Sequence, residues 1–225
     1  MELSCIVLAG GRGLRFGRNK ALETLDHQTL IHRTVSSLSI LGTEIVVVTG
    51  PHNTELGLDT VERVRIVLDA WPGRGPLVGI YSGLLNSRSE MNLAVACDMP
   101  FLNLGLLRYM AAASSGYDAV VPRLGKGIEP LHSIYSCRCL PKIRAMLDEG
   151  VYSVSELLRR VSVRYIEADE IDRFDPERLS FFNINTEADM KRARELVRQG
   201  AENKLATGPA TWSPGFEVRM KGFPI

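Results

Sequence analysis

Long apolar runs are missing from this chain. No stretch approaches the roughly 20 consecutive apolar residues with which a helix crosses a bilayer, so no membrane partner is expected. An excess of one charge is missing too: 27 Lys and Arg face 26 Asp and Glu, for a net charge of +1. That balance gives no general electrostatic reason to hold nucleic acid or an anionic surface. Nothing near Met1 resembles a basic stretch followed by an apolar segment and a cleavage site, and the expected location is cytoplasmic. Cysteines number only four. Cys5 and Cys97 lie in apolar surroundings as small hydrophobes, and Cys137-Arg-Cys139 lacks the second pair a structural zinc site needs. Ordinary packing at a strand end explains that pair, with a redox role as the alternative. His27, His32, His52 and His132 form no triad or ligand pattern, and surface or packed histidines account for them.

What is present is concentrated early. Ile6-Val7-Leu8 reads as a buried parallel strand that stops at Gly10-Gly11. Gly13 and Gly17 follow, in a loop that carries Arg12, Arg15, Arg18 and Lys20. Glycines let a ligand approach the backbone closely, and successive N–H groups in such a turn form a concave anion site. Four cations so near one another are best satisfied by a phosphate-rich ligand; the plainer alternative is a strand–helix turn with solvated basic residues. The dinucleotide fingerprint fails, because Phe16 stands where its third glycine belongs, and the Walker pattern fails at Gly17-Arg18-Asn19-Lys20.

Downstream, apolar spacing predicts a helix over 28–40 closed by Gly42, a second buried strand over 44–49 and a third buried strand over 64–68. A helix over 76–87, a strand over 92–98, a helix over 104–113 and a strand over 117–122 follow. The alternation predicts an α/β fold: a three-layer, mostly parallel, doubly wound sheet with ligands at the carboxyl ends of the strands. Gly10, Thr49, Asp69 and Asp98 all fall at such ends, along one rim. Beyond residue 122 the pattern changes to strands over 131–136, 164–167 and 181–185, helices over about 140–149 and 153–161, and a last helix capped by Thr186. We expect a single domain over 1–200, with a nucleotide-binding half (1–122) and a substrate-facing half (123–200), then a tail over 201–225 carrying Trp212 and Phe216.

Asp98 is the foremost candidate for chemistry. It follows an apolar strand and precedes Met99-Pro100, where a carboxylate can hold Mg²⁺, an ion content with one or two carboxylates and phosphate oxygens. A turn or N-cap aspartate is the structural alternative. Lys20 suits a polyphosphate as a flexible point charge, and Arg15 suits the leaving pyrophosphate through bidentate contact. Asp69 precedes a glycine-rich loop able to pass close to a nucleoside. Asn183 and Asn185 lie two apart on the expected strand, so both share one face as substrate-binding candidates. Glu129-Pro130 follows Gly125 and Gly127 in a further candidate substrate loop.

Four motifs in order sharpen these readings: Leu-Ala-Gly-Gly-x-Gly-x-Arg-Phe-Gly-x-x-Lys at 8–20, Gly-Pro-Leu-x-Gly at 75–79, Cys-Asp-Met-Pro at 97–100 and Phe-Asn-Ile-Asn-Thr at 182–186. Over roughly residues 3–198 the chain resembles the molybdenum cofactor guanylyltransferases, within the wider nucleotidyltransferase group. The resemblance implies a Rossmann-like nucleotidyltransferase fold and Mg²⁺-dependent transfer of GMP from GTP to the terminal phosphate of molybdenum-bearing molybdopterin, with release of pyrophosphate. It implies that Leu8, Ala9, Gly10, Gly11, Lys20, Asp69 and Asp98 bind GTP and that Asp98 holds the metal. The implied partners are GTP, a molybdopterin-type phosphorylated acceptor and, transiently, enzymes that make or receive the cofactor. Thr49 departs from the asparagine the family often places near the nucleotide, and the tail is outside the family pattern. A cytidylyltransferase, a transferase for another phosphorylated acceptor, and a nucleotide-binding regulator without turnover are the alternatives.

Overall fold

The computed structural model describes residues 3–10, 19–41, 44–51, 53–59 and 61–200. Gly11, Arg15 and the rest of the loop through Arg18, together with Gly42, His52 and the tail from residue 201, lie outside the described residues.

Strand β1 (Leu3–Leu8) is an interior strand of an eight-stranded sheet. Two very short strands, β2 (Thr24–Leu25) and β3 (Gln28–Thr29), form a separate hairpin turned by Asp26 and His27, both at positive φ. The first helix therefore starts later than its apolar spacing suggests: α1 spans Leu30–Leu38, with Thr29 Oγ1 accepting from His32 N at 3.3 Å. β4 (Ile45–Thr49) and β5 (Val64–Leu68) follow, then α2 (Pro76–Asn86), whose first residue is a proline where no N–H is needed. β6 (Met91–Ala96), α3 (Leu104–Ala112), β7 (Ala119–Leu124), β8 (Gly127–Ile128) and β9 (His132–Ser136) complete the middle of the chain. After α4 (Leu140–Asp148) and α5 (Val154–Arg160) come β10 (Val163–Ile166), the short α6 (Ala168–Ile171) and α7 (Glu187–Arg198).

The strand order is β10-β7-β9-β6-β1-β4-β5, with β8 hanging on β7. β1 is parallel to β4 and β6, β4 to β5, and β7 to β10. β9 is reversed, pairing antiparallel with both β6 and β7, and the two-residue β8 also runs antiparallel to β7. Alternate residues of each central strand feed opposite faces. Cys5, Val7, Val47 and Leu93 pack with α1 and α3, while Ile6, Val46, Val48 and Ala94 pack with α2, α4 and α5. Helices on both faces of a mostly parallel sheet are the three-layer arrangement the alternation predicts.

Three expectations need correction. β5 is not a buried strand: it is the sheet's edge, and Leu68 is 54% exposed. Residues 181–185 are not a strand. Asp175 accepts from the N–H groups of Leu179 and Ser180 at 3.1 and 2.8 Å, and Arg178 sits at φ 53°, so the chain tightens into a 3₁₀ turn over Leu179–Phe181 before running on irregularly. Cys137 and Cys139 lie not on a strand end but in the 3₁₀ turn that leads into α4; all four cysteines are free thiols. Burial pushes the Cys5, Cys97 and Cys139 thiols up to about 12, so they are inert packing groups at neutral pH.

Candidate active site

β1, β4 and β6 end side by side, and their register brings Leu8 level with Val48 and Ala96. Beyond those ends opens a cleft of about 440 Å³. Its walls include Leu8, Ala9, Gly10, Lys20, Asp69 and Asp98, six of the residues singled out from the sequence. Gly11 and Arg15 fall outside the described residues.

The floor is apolar and tight. Helix α2 crosses β1 so closely that a Cβ on Gly79 would lie 3.0 Å from Leu8 Cδ2. One on Gly83 would lie 2.4 Å from Ile6 Cγ2. Gly75, at φ 99°, turns the chain from the cleft into α2, a conformation that suits glycine. Trp71 stacks on Tyr81 with ring centroids 6.1 Å apart, and the Arg144 guanidinium lies over the Trp71 ring. These contacts anchor the 69–75 loop against α2 and α4.

The rim is charged. Asp98 sits just past β6, not on it: Cys97 N donates to Leu8 O at 3.2 Å and Met99 N to Ala96 O at 3.3 Å, a turn that lifts Asp98 to the mouth of the cleft. Lys20 opens a 3₁₀ turn, Lys20–Leu22, whose cap Asn19 accepts from Ala21 N. Lys20 Nζ donates to Asp98 Oδ2 at 2.6 Å and to Asn185 Oδ1 at 3.0 Å. The other carboxylate oxygen, Asp98 Oδ1, is buried without a hydrogen-bond partner. Among the described residues no group of three or more His, Cys, Asp or Glu side chains converges. A lone carboxylate with one unused, enclosed oxygen beside an open cleft fits an ion such as Mg²⁺, which takes few protein ligands and fills its shell with water and phosphate.

Asn185 reaches Lys20 because its segment is stitched to the strand end. Ile184 N donates to Asp98 O at 3.0 Å, and Asp189 Oδ2 accepts from Asn185 N and Thr186 N at 2.9 and 2.8 Å. Asn183 donates its amide to Phe181 O at 3.3 Å, and with no strand there the two asparagines lack the shared strand face their spacing predicts. Asp69 accepts from Trp71 N at 3.3 Å and lies 3.3 Å from Ser82 Oγ. Half-burial pushes its carboxyl up, against the pull of those two hydrogen bonds. Thr49 faces away, its hydroxyl donating to Asn53 O at 3.1 Å, and its neighbour Val48 lines the cleft instead.

Sequence reading missed Leu131, which lines the cleft and whose carbonyl accepts from Ala96 N at 3.1 Å. Two residues earlier, Glu129 N donates to Pro122 O at 3.0 Å, and burial pushes the Glu129 carboxyl up. The signal for Leu131 was the reversal of β9, which hydrophobic periodicity does not encode.

Comparison with known proteins gives one pattern. Residues 5–164 match the MobA-like NTP transferase domain. A probable molybdenum cofactor guanylyltransferase of Pelotomaculum thermopropionicum is 32% identical over 205 residues, covering 91% of this chain and 98% of that one. A molybdenum cofactor guanylyltransferase of Desulfosudis oleivorans is 34% identical over 197 residues, covering 87% and 96%. Among solved structures, the molybdopterin-guanine dinucleotide biosynthesis protein A of Archaeoglobus fulgidus superposes with a TM-score of 0.76 at 28% identity, over 87% of this chain and 99% of that one.

Proposed function

The chain belongs to the MobA-like NTP transferases, among the molybdenum cofactor guanylyltransferases, and from that membership we propose that it transfers GMP from GTP to the terminal phosphate of molybdenum-bearing molybdopterin, releasing pyrophosphate. The observation that carries the reading is that Lys20 and Asp98, 78 residues apart, meet at 2.6 Å at the mouth of one cleft.

The nucleophile in this reading is an oxygen of the acceptor's phosphate monoester, already anionic at neutral pH, so no general base is required. That oxygen bonds to the α-phosphorus of GTP as the bond from the α-phosphorus to the α,β-bridging oxygen breaks, and pyrophosphate leaves with the electron pair. The protein's task is to hold two polyanions in line and to neutralise their crowding. The Leu8–Gly10 strand end offers backbone to the nucleotide, Asp69 accepts from its nucleoside, and Lys20 follows the phosphates, while Gly11 is assigned to the nucleotide from sequence alone. Arg15 is assigned to the departing pyrophosphate from sequence alone. Asn185 holds Lys20 on the acceptor side. Asp98 would hold Mg²⁺, which would supply withdrawal of charge from phosphate oxygens.

The test is a panel of GTP, CTP, ATP and UTP with Mg²⁺, read first by thermal shift and then by pyrophosphate release with the acceptor. GTP is expected to raise the melting temperature most and to support release. Preference for CTP overturns the guanine assignment, and tight nucleotide binding with no pyrophosphate formed overturns the transferase reading in favour of a regulator. Lys20→Ala is expected to weaken GTP binding and slow turnover together.

A further inference from the structure

Lys20 and Asp98 are engaged directly with each other. The ammonium spends one donor on Asp98 Oδ2 at 2.6 Å and another on Asn185 Oδ1 at 3.0 Å, and both charged side chains are about four-fifths buried, at 18% and 20% exposure. The frame around them is fixed: Ile184 N is bonded to Asp98 O, and Asn185 N to Asp189 Oδ2. Only the lysine stem, four flexible carbons, is free to swing.

We infer that Lys20 is the resident counter-ion of Asp98, and that it bars a divalent cation from that carboxylate until a polyphosphate draws its charge away. The metal then enters together with the nucleotide and not ahead of it. The physical reason is cation–cation repulsion. An ion on the enclosed Asp98 Oδ1 would stand one carboxylate's width from an ammonium, in a site where water screens poorly. One carboxylate does not offset three positive charges. A triphosphate supplies the missing negative charge and gives Lys20 a better partner in the same cleft. The inference rests on the nucleotidyltransferase reading and adds an order of binding to it.

The experiment measures Mn²⁺ uptake by the intact chain through electron paramagnetic resonance, alongside calorimetric GTP binding with and without metal. Wild type is expected to take up no Asp98-dependent Mn²⁺ by itself and to bind GTP without metal. Removing the ammonium in Lys20→Met should raise affinity for Mn²⁺ alone by about tenfold or more, an effect lost in Lys20→Met/Asp98→Asn. Lys20→Arg keeps the charge and should keep the metal out. Lys20→Gln serves equally should Lys20→Met not fold, judged by circular dichroism. Mn²⁺ binding to unliganded wild type as tight as to Lys20→Met overturns the inference and leaves the transferase reading standing. Absence of GTP binding under every condition overturns both.

Discussion

The floor of the cleft and its rim are built on opposite principles. The floor, at Leu8 and Gly79, is neutral and interlocked with what lies behind it: Ile6 is fully buried against α2, at a contact where even one added methyl has no room. The rim is ionic and partly open, its parts drawn from three distant points of the chain, at Lys20, Asp98 and Asn185. The floor holds shape through dense packing. The rim holds charge, through side-chain contacts that reach the opening of the cleft. Changes at the rim should therefore alter chemistry with the fold intact, and changes at the floor should alter stability before chemistry.

The largest expected effect is at the rim. Asp98→Ala should lower turnover by about a hundredfold or more with the melting temperature within a few degrees of wild type. Near-normal Mg²⁺-dependent GMP transfer by that variant, or a collapse in its stability, would erase the distinction between floor and rim.

Next comes a buried polar group away from both. His132 is fully buried, its two ring nitrogens have no hydrogen-bond partner, and its ring lies 4.9 Å from that of Phe181. Burial pulls its pKa down from 6.5 to about 4. Below the unfolded value the denatured chain takes up a proton that the folded ring refuses, so stability falls as pH drops from about 6.5 to about 4, by about 3 kcal/mol in all. Above that window both states are neutral and the group has no pH effect. Denaturant titrations of His132→Leu should show that slope removed; an unchanged slope assigns acid sensitivity to other groups.

At the floor, Gly83→Ala should cost about 1–2 kcal/mol, overpacking against Ile6 outweighing the helix preference for alanine. Combined with Ile6→Ala the two losses should fall short of additive by about 0.5–3 kcal/mol, as for residues in contact. Strict additivity would show that α2 adjusts to the extra methyl and that the floor has slack. The smallest effect concerns the frame behind the rim. Thr186 and Asp189 form a reciprocal cap on α7, and Thr186→Ala should cost about 1 kcal/mol. Because that cap also holds Asn185, a small rise in the KM for GTP should accompany the loss.

The sequence made the floor and the strand ends legible, for a local reason. β-branched runs such as Val46–Val48, stopped by glycine or aspartate, announce buried parallel strands and the rim beyond them. Asp98 follows from that logic and Lys20 from the glycine-rich cationic loop, and the two side chains meet in one cleft. What was not legible depended on partners distant in sequence. Apolar content alone reads 64–68 as core, whereas its place at the sheet edge is set by strand order. Phe181-Phe-Asn-Ile-Asn has strand composition, but Asp175 captures two of the N–H groups leading into it and Asp98 O takes a third. Tertiary hydrogen bonds overrode a local preference there.

The reversal of β9 has a consequence for how such a scaffold can diversify. An antiparallel strand begins where its neighbours finish, so the hairpin of residues 125–131 empties onto the same opening as β1 and β6 although it is distant from them in sequence. Gly125 and Gly127 mark its tip, both exposed. Lengthening a surface loop is cheap, about 0.6 kcal/mol for each doubling. Cassettes grafted between β7 and β9 would thus remodel one lip of the opening while Ile6, Gly79 and Gly83 stay as they are, leaving a nucleotide platform that can be re-aimed at new acceptors.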